Sequence, residues 1–251
     1  MGLAVVELKG VTKRFETTDH TALQDLTLEV PQGMFVSVVG PSGCGKSTLL
    51  NLAAGLDQPS KGNVAVSGRV GYLFQQDALL PWKTVIENVL LGLVFRGSVV
   101  DRSLGMTWLR RVGLETFAAH FPSQLSGGMR RRVAMVQQCI VEPEILLMDE
   151  PFGALDVHTR HKMESELLGL WTPPQTILFV THDLEEAIAL SDRVVVLSAG
   201  PASTVLSSYD IDLPRPRNLI DIRTEDRFQD LYRRIWSDLR AEVLKSYAQI
   251  Q

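Results

Sequence analysis

Apolar positions along the chain gather in short runs whose rhythm changes from one region to the next. At residues 5–8, 26–30, 35–39, 63–66, 70–74, 145–148, 176–180 and 194–197 the runs are rich in Val, Ile and Leu and only four or five residues long. Such runs predict strands. The first two are separated by a polar loop in which Phe15 follows the basic pair Lys13-Arg14. Leu49, Leu50, Leu52 and Ala53, closed by Gly55, predict a helix directly after the 35–39 strand. From Pro81 to about Val141 the strand-like runs vanish and the spacing turns helical. Buried strands alternating with helices argue for an α/β core built on a largely parallel sheet, with a helical subdomain, about 77–142, inserted into it.

Near the end the pattern changes again. Pro214-Arg215-Pro216-Arg217 reads as a stiff, polar break that ends the core domain at residue 213. Beyond it Phe228, Leu231, Tyr232, Ile235, Leu239 and Val243 recur at three- and four-residue spacing. The tail, 214–251, is therefore expected to carry an amphipathic helix that packs on its own domain. The longest apolar stretches, such as residues 89–95, fall far short of the roughly 20 residues that a membrane-spanning helix needs. The first ten residues alternate as a strand does, without the charged start and apolar core of a secretion signal.

Composition sharpens this picture in two places. A net charge of −4 over 251 residues gives no footprint for non-specific nucleic-acid binding. The two cysteines, Cys44 and Cys139, match a reduced intracellular protein rather than a disulfide scaffold.

The chemistry centres on Gly40-Pro41-Ser42-Gly43-Cys44-Gly45-Lys46-Ser47-Thr48, set between the 35–39 strand and the leucine-rich helix. A turn whose main-chain N–H groups converge on a triphosphate needs glycines at 40, 43 and 45, because side chains there would block close approach. Lys46 supplies a positive charge to the outer phosphates, and the Ser47 hydroxyl is placed to ligate Mg²⁺. The N-terminus of the following helix adds its partial positive charge.

Two further stretches carry acids and anion-binding groups. Four apolar residues lead to Asp149-Glu150-Pro151. Successive strand side chains face opposite ways, so the two acids divide the work unless the strand ends between them. Asp149 is assigned to the Mg²⁺ shell and Glu150 to the attacking water as general base. Leu125-Ser126-Gly127-Gly128-Met129 opens another helix, with Ser126 as N-cap and paired glycines leaving main-chain N–H groups uncovered as a second anion site.

From Glu7 to about Leu206 the chain resembles the ATP-binding subunit of ABC transporters. It carries the family's phosphate loop, Leu-Ser-Gly-Gly signature and apolar-Asp-Glu strand in the family's order. The resemblance implies a phosphate-loop ATPase core with a small antiparallel β-subdomain and an inserted helical subdomain. Its implied ligands are ATP and Mg²⁺. It implies that two copies pack head to tail, each ATP lying between the phosphate loop of one and Ser126, Gly127 and Gly128 of the other. It assigns Gln75 to the glutamine loop that meets Mg²⁺ and the water, although spacing alone leaves Gln76 equally eligible. Ala154-Leu155-Asp156 matches the loop crossing the dimer interface, and His182 the switch histidine. An imidazole at a strand end can itself bond the γ-phosphate and the water; the other four histidines read as surface groups. Phe15 fits either core filling or the family's adenine-stacking aromatic.

Departures from the family pattern are Met129 for glutamine, Gly153 for serine, Gln137-Gln138 for arginine and alanine, and a short segment between Val66 and Val70 that implies a clipped β-subdomain. Arg130-Arg131-Arg132 reads as a solvated helix face. The stretch Gln75 to Trp82, Met129 and the Pro-Arg-Pro-Arg tail are similar to importers of nitrate, sulfonate, taurine and related nutrients. That likeness implies a separate membrane permease, a binding protein outside the membrane, and a place on its cytoplasmic face. Leu79, Leu80, Pro81 and Trp82 are the candidates for the permease contact, with core packing as the other reading. The alternative, a soluble ABC-type ATPase acting on nucleic acid or the ribosome, usually carries a long coiled coil or two fused cassettes, for which this chain has no room. A nucleoside kinase leaves the Ser126–Gly128 cradle idle.

Overall fold

The computed structural model describes residues 3–98, 100–153, 155–171 and 173–250. In chain order the strands are β1 (Ala4–Phe15), β2 (His20–Pro31), β3 (Phe35–Val39), β4 (Lys61–Val66), β5 (Val70–Leu73), β6 (Ile145–Asp149), β7 (Thr176–Thr181), β8 (Arg193–Leu197) and β9 (Val205–Asp210). The helices are α1 (Lys46–Ala53), α2 (Val85–Phe95), α3 (Arg102–Arg111), α4 (Gly127–Cys139), α5 (Val157–Leu170), α6 (Leu184–Leu190) and α7 (Asp226–Ile250).

Strand order in the central sheet is β5-β6-β7-β3-β8-β9. All neighbours run parallel except β8 and β9, which are antiparallel. The alternating faces of the strands sort the core into two layers. Phe35, Val39, Leu146, Met148, Ile177 and Phe179 pack against the helices α2 to α7, while Val36, Val38, Leu147, Leu178 and Val195 pack against α1 and the second sheet. That second sheet is antiparallel, order β2-β1-β4. Helices α2, α3 and α4 lie between β5 and β6, which are neighbours in the sheet. Among the described residues no helix is long and apolar enough to cross a membrane.

Four sequence expectations change. The first two strands are much longer than their apolar runs: β1 and β2 pair from Ala4↔Pro31 to Phe15↔His20 across several register shifts. The ladder continues through polar residues because bulges keep the backbone paired where the apolar alternation lapses. Phe15 is therefore a strand residue beside a tight turn rather than part of a loop. The second change is β9, which adds an antiparallel edge; its half-buried alternation, one side in and one out, lacks the apolar run that marks a central strand.

The third correction concerns Pro214-Arg215-Pro216-Arg217, which does not end the core. Leu213, Leu219, Ile222 and Phe228 are all buried and continue it. Arg215 and Arg217 close the C-terminal end of α6: Arg215 Nη2 donates to Leu190 O at 2.7 Å, and Arg217 Nη1 to Ala189 O at 3.1 Å and Ser191 O at 2.8 Å. Cations belong where a helix leaves carbonyls unpaired. The Arg215 guanidinium also lies over the Trp171 ring at 4.4 Å. Helix α7 then lays Phe228, Leu231, Ile235 and Leu239 into the same core.

The fourth concerns Arg130-Arg131-Arg132. Arg130 pairs with Asp77 at 2.7 Å and Arg132 donates to Val112 O at 2.7 Å, but Arg131 is only 6% exposed. A 100° step per residue turns one of three consecutive side chains inward, and Arg131 shares its stripe with the buried Ala134 and Met135. On the same helix Gln137 donates to Asn88 O on α2 at 3.0 Å, and Gln138 Oε1 accepts from Tyr72 N on β5 at 3.3 Å. The two glutamines stitch α4 to its neighbours.

Candidate functional site

Four adjacent parallel strands, β5, β6, β7 and β3, end at one edge of the sheet, the place where open α/β sheets bind ligands. Each delivers one part of the site. Gln75 follows β5, Asp149 and Glu150 end β6, His182 follows β7, and the glycine-rich loop follows β3.

The loop closes into α1 with Gly43 at φ 78° and Gly45 at φ 87°, backbone that L side chains rarely adopt. A Cβ on Gly45 would also meet Leu23 Cδ2 at 2.8 Å and Ala22 O at 3.1 Å, and one on Gly40 the Cys44 sulfur at 2.7 Å. Glycine is thus demanded here by backbone angle and by packing beneath the loop. Lys46 Nζ donates to Gly40 O at 2.9 Å and Pro41 O at 3.0 Å. The Cys44 side chain is turned into the core, where burial pushes its thiol up. Its N–H bonds Pro41 O at 3.3 Å, so its part in the loop is to brace it. Gly40, Pro41 and Cys44 lie behind the cleft rather than on its lining.

The cleft over the loop holds about 390 Å³. Phe15 and His20 of the hairpin, Ser42, Lys46, Ser47 and Thr48 of the loop and helix, and Gln75 with Glu150 line it together. His20 is the strand partner of Phe15, a neighbour that only the hairpin register reveals. Lys13 lies over the Phe15 ring at 5.0 Å.

The strand's end separates the two acids, Asp149 being the last residue of β6 and Glu150 the first beyond it. Ile145, Leu147 and Asp149 share the face that looks to α1, which sets Asp149 beside Ser47 and Lys46. Burial raises the Asp149 carboxyl, while the Ser47 hydroxyl and the charges of Lys46 and Arg131 oppose the shift. Its Oδ1 is buried without a hydrogen-bond partner. A buried, unpaired carboxylate oxygen next to a hydroxyl fits a hard cation that takes one or two protein ligands and phosphate oxygens, as Mg²⁺ does. Glu150 lies just past the strand end, at φ 41°. This sharp turn aims its carboxylate away from Asp149: Oε2 is 3.2 Å from His182 Nδ1 and 3.5 Å from Gln75 Nε2. The pairing singles out Gln75 of the two glutamines that spacing left equal.

Sequence reading missed the contact that Arg131 makes with these turns. Its guanidinium donates to Phe74 O, Gln75 O, Asp149 O and Pro151 O. Ser126 caps α4, its Oγ accepting from Met129 N at 3.3 Å, and Met129 packs its side chain on the core. Gly127 lines a second cavity, which shares Gln75 and Glu150 with the cleft over the phosphate loop. Asp156 caps α5 through Thr159 N at 3.0 Å. Ala154 lies outside the described residues.

This edge of the sheet is that of a phosphate-loop nucleoside triphosphatase. Known proteins narrow the class. The model of the ABC transporter family matches residues 23–153. An uncharacterized ABC transporter ATP-binding protein of Methanocaldococcus jannaschii is 43% identical over 96% of this chain and 93% of its own. The aliphatic sulfonates import ATP-binding protein SsuB 2 of Pseudomonas aeruginosa is 46% identical over 84% of this chain and 77% of its own. The bicarbonate transport ATP-binding protein CmpD of Synechococcus elongatus is 40% identical over 89% and 86%. A solved dimeric ATP-binding cassette in a post-hydrolysis state, bound to ADP and Pi, superposes with a TM-score of 0.75 at 34% identity, covering 83% of this chain and all of that one. The chain belongs to the ABC transporter family and is one of its ATP-hydrolysing subunits.

Proposed function

We propose that the chain drives uptake of a small oxyanionic nutrient, sulfonate-, nitrate- or bicarbonate-like, through a separate membrane permease. Support for the cargo class comes from the sulfonate import and bicarbonate transport relatives. A binding protein outside the membrane delivers the cargo, and this subunit sits on the inner face, held by the permease. Trp82, 71% exposed, and the cleft beside Phe74 and Leu56 form the surface offered to a permease helix. Leu79 packs partly against the core and supports that surface from beneath.

The observation that carries the reading of paired subunits is the placement of the signature. Gly127 lines a different cavity from the phosphate loop, the two cavities sharing only Gln75 and Glu150, so the two anion-binding elements of one chain do not line a common cleft. A second copy, packed head to tail, brings its Ser126, Gly127 and Gly128 over the nucleotide held by the first. Phe15 stacks on the adenine, the loop amides and Lys46 hold the phosphates, and Asp156 crosses the interface. Ser47, Asp149 and Gln75 would hold Mg²⁺, which neutralises charge on the β- and γ-phosphates. Glu150 takes the proton of the attacking water, with Gln75 and His182 orienting that water and the γ-phosphate. Closure on ATP and opening after phosphate loss work the permease, because ATP binds the closed pair better than the open one.

Mixing two inactive variants tests the pairing. Lys46→Ala disables one loop and Ser126→Arg one signature. A mixed pair retains one intact site, so an equal mixture should recover about a quarter of wild-type turnover if copies exchange freely. A mixture as inactive as its components excludes head-to-tail pairing. Uptake of labelled alkanesulfonate, nitrate and bicarbonate by cells with and without the gene tests the cargo class; equal uptake of all three rejects it.

A further inference from the structure

Helix α4 sends one side chain back under the catalytic turns. Arg131 lies five residues beyond the cap Ser126, and its guanidinium is shared between two loops that are far apart in sequence. Nη1 donates to Phe74 O at 2.5 Å and Gln75 O at 3.2 Å, Nε to Pro151 O at 2.7 Å and Nη2 to Asp149 O at 3.4 Å. The first pair of carbonyls belongs to Gln75 and the residue before it. The second pair brackets Glu150 on both sides.

Glu150 needs such a brace. Its φ of 41° lies in a region that is strained for a non-glycine residue and persists only where the surroundings enforce it. The turn's own main-chain bonds are Glu150 N to Val180 O at 2.9 Å and Gly153 N to Glu150 O at 3.3 Å. Neither reaches the Gln75 segment. A planar fork of five donors can serve two loops at once, whereas an ammonium is a single point. Burial pulls the Arg131 guanidinium down to about 10, which leaves it charged across the neutral range.

We propose that Arg131 is a positioning residue for hydrolysis: it fixes the Gln75 amide relative to the Glu150 carboxylate and ties both to the helix that carries the signature. Movement of α4, when Ser126 and Gly127 engage the partner's nucleotide, is thereby passed to this chain's own water-handling groups. The proposal rests on the reading of Glu150 as base and Gln75 as water-orienting group.

The test is steady-state ATPase kinetics on the purified full chain carrying Arg131→Lys, with the neutral Arg131→Gln run beside it so that the result does not hang on one variant folding. Expected are a kcat lower by about 10–100-fold, the scale of a misplaced catalytic group, and a KM for ATP within about threefold of wild type. In a Glu150→Gln background the same substitution should cost less than about twofold, because the group it positions is already gone. A kcat within twofold of wild type in a folded variant overturns the proposal. So does a KM that rises in step with the fall in kcat, or losses that multiply in the double variant, since either marks a merely structural bond. Glu150→Gln alone tests the underlying reading. Wild-type turnover there removes the base and the proposal together, whereas a slow Glu150→Gln beside a fast Arg131→Lys overturns the brace alone.

Discussion

Glu150 Oε2 and His182 Nδ1 lie 3.2 Å apart, carried there by the ends of the paired strands β6 and β7. Neither side chain is deeply buried, and His182 is half exposed, so burial alone would mark neither as special. Their approach follows from the parallel register, in which Asp149 stands opposite Val180 and Glu150 N bonds Val180 O at 2.9 Å. An imidazole in this position can hold a proton on the carboxylate side or present its far edge to a phosphate.

Replacing the carboxylate separates binding from turnover. Glu150→Gln should retain ATP binding while turnover falls about 10²–10⁴-fold, the usual worth of a general base. Parallel nucleotide titration and phosphate-release assays decide it. Unchanged phosphate release would reassign the base.

The backbone at the same residue gives an independent stability prediction. Glu150→Gly relieves the positive φ and should stabilise the fold by roughly 1 kcal/mol, about 2–4 °C in Tm for a chain this size, while turnover is lost. Calorimetry reads the first and an ATPase assay the second. A Tm below wild type shows that the turn stores no strain.

Lys46 closes the loop and, in the proposed reading, is the charge that meets the phosphates. Lys46→Ala removes its bonds to Gly40 O and Pro41 O along with the cation. ATP affinity should drop about 10–100-fold, as expected for a charged hydrogen-bonding group worth roughly 1.5–3 kcal/mol. Equilibrium binding of a fluorescent ATP analogue measures this; an affinity within twofold of wild type contradicts it.

Phe15 can be tested without reference to hydrolysis. If its half-buried ring stacks on adenine, Phe15→Ala weakens ATP binding by about 2–10-fold, the range for aromatic pairs. Phe15→Trp preserves it, and inorganic triphosphate binds all three proteins alike. Loss of triphosphate binding in Phe15→Ala would show instead that the ring only supports the loop.

Below His182, Glu186 sets a pH dependence. Burial raises this carboxyl from its ordinary 4.5 to about 7; Asp183 and Glu164 add to the rise, while the Thr181 hydroxyl, 2.7 Å away, and Arg160 oppose it. A folded-state value above the unfolded one means that the folded protein holds the proton more tightly. The associated stability is full below pH 4.5 and is lost as pH rises to about 7. Glu186→Gln cannot ionise, so its stability relative to wild type should climb through that window by an amount on the order of 1–3 kcal/mol, read as a widening Tm difference. A Tm difference that stays flat between pH 4.5 and 7 contradicts the assignment.

Much of the site was legible because it is local. The phosphate loop, the apolar run ending in Asp149 and Glu150, the Ser126 cap and the strand before His182 are each contiguous stretches whose residues set their own turn or helix start. Strand parity set the face of Asp149 but left Glu150 open, because the strand ends between the two acids. What the chain alone left undecided depends on partners distant in sequence. Gln75 rather than Gln76 faces Glu150 because β5 lies beside β6. Arg131 points inward because the carbonyls of two remote turns lie beneath α4. Arg215 and Arg217 belong to the core because the end of α6 has carbonyls to be met. A run of residue types specifies which groups a segment offers; only packing decides which unpaired backbone atoms are near enough to accept them.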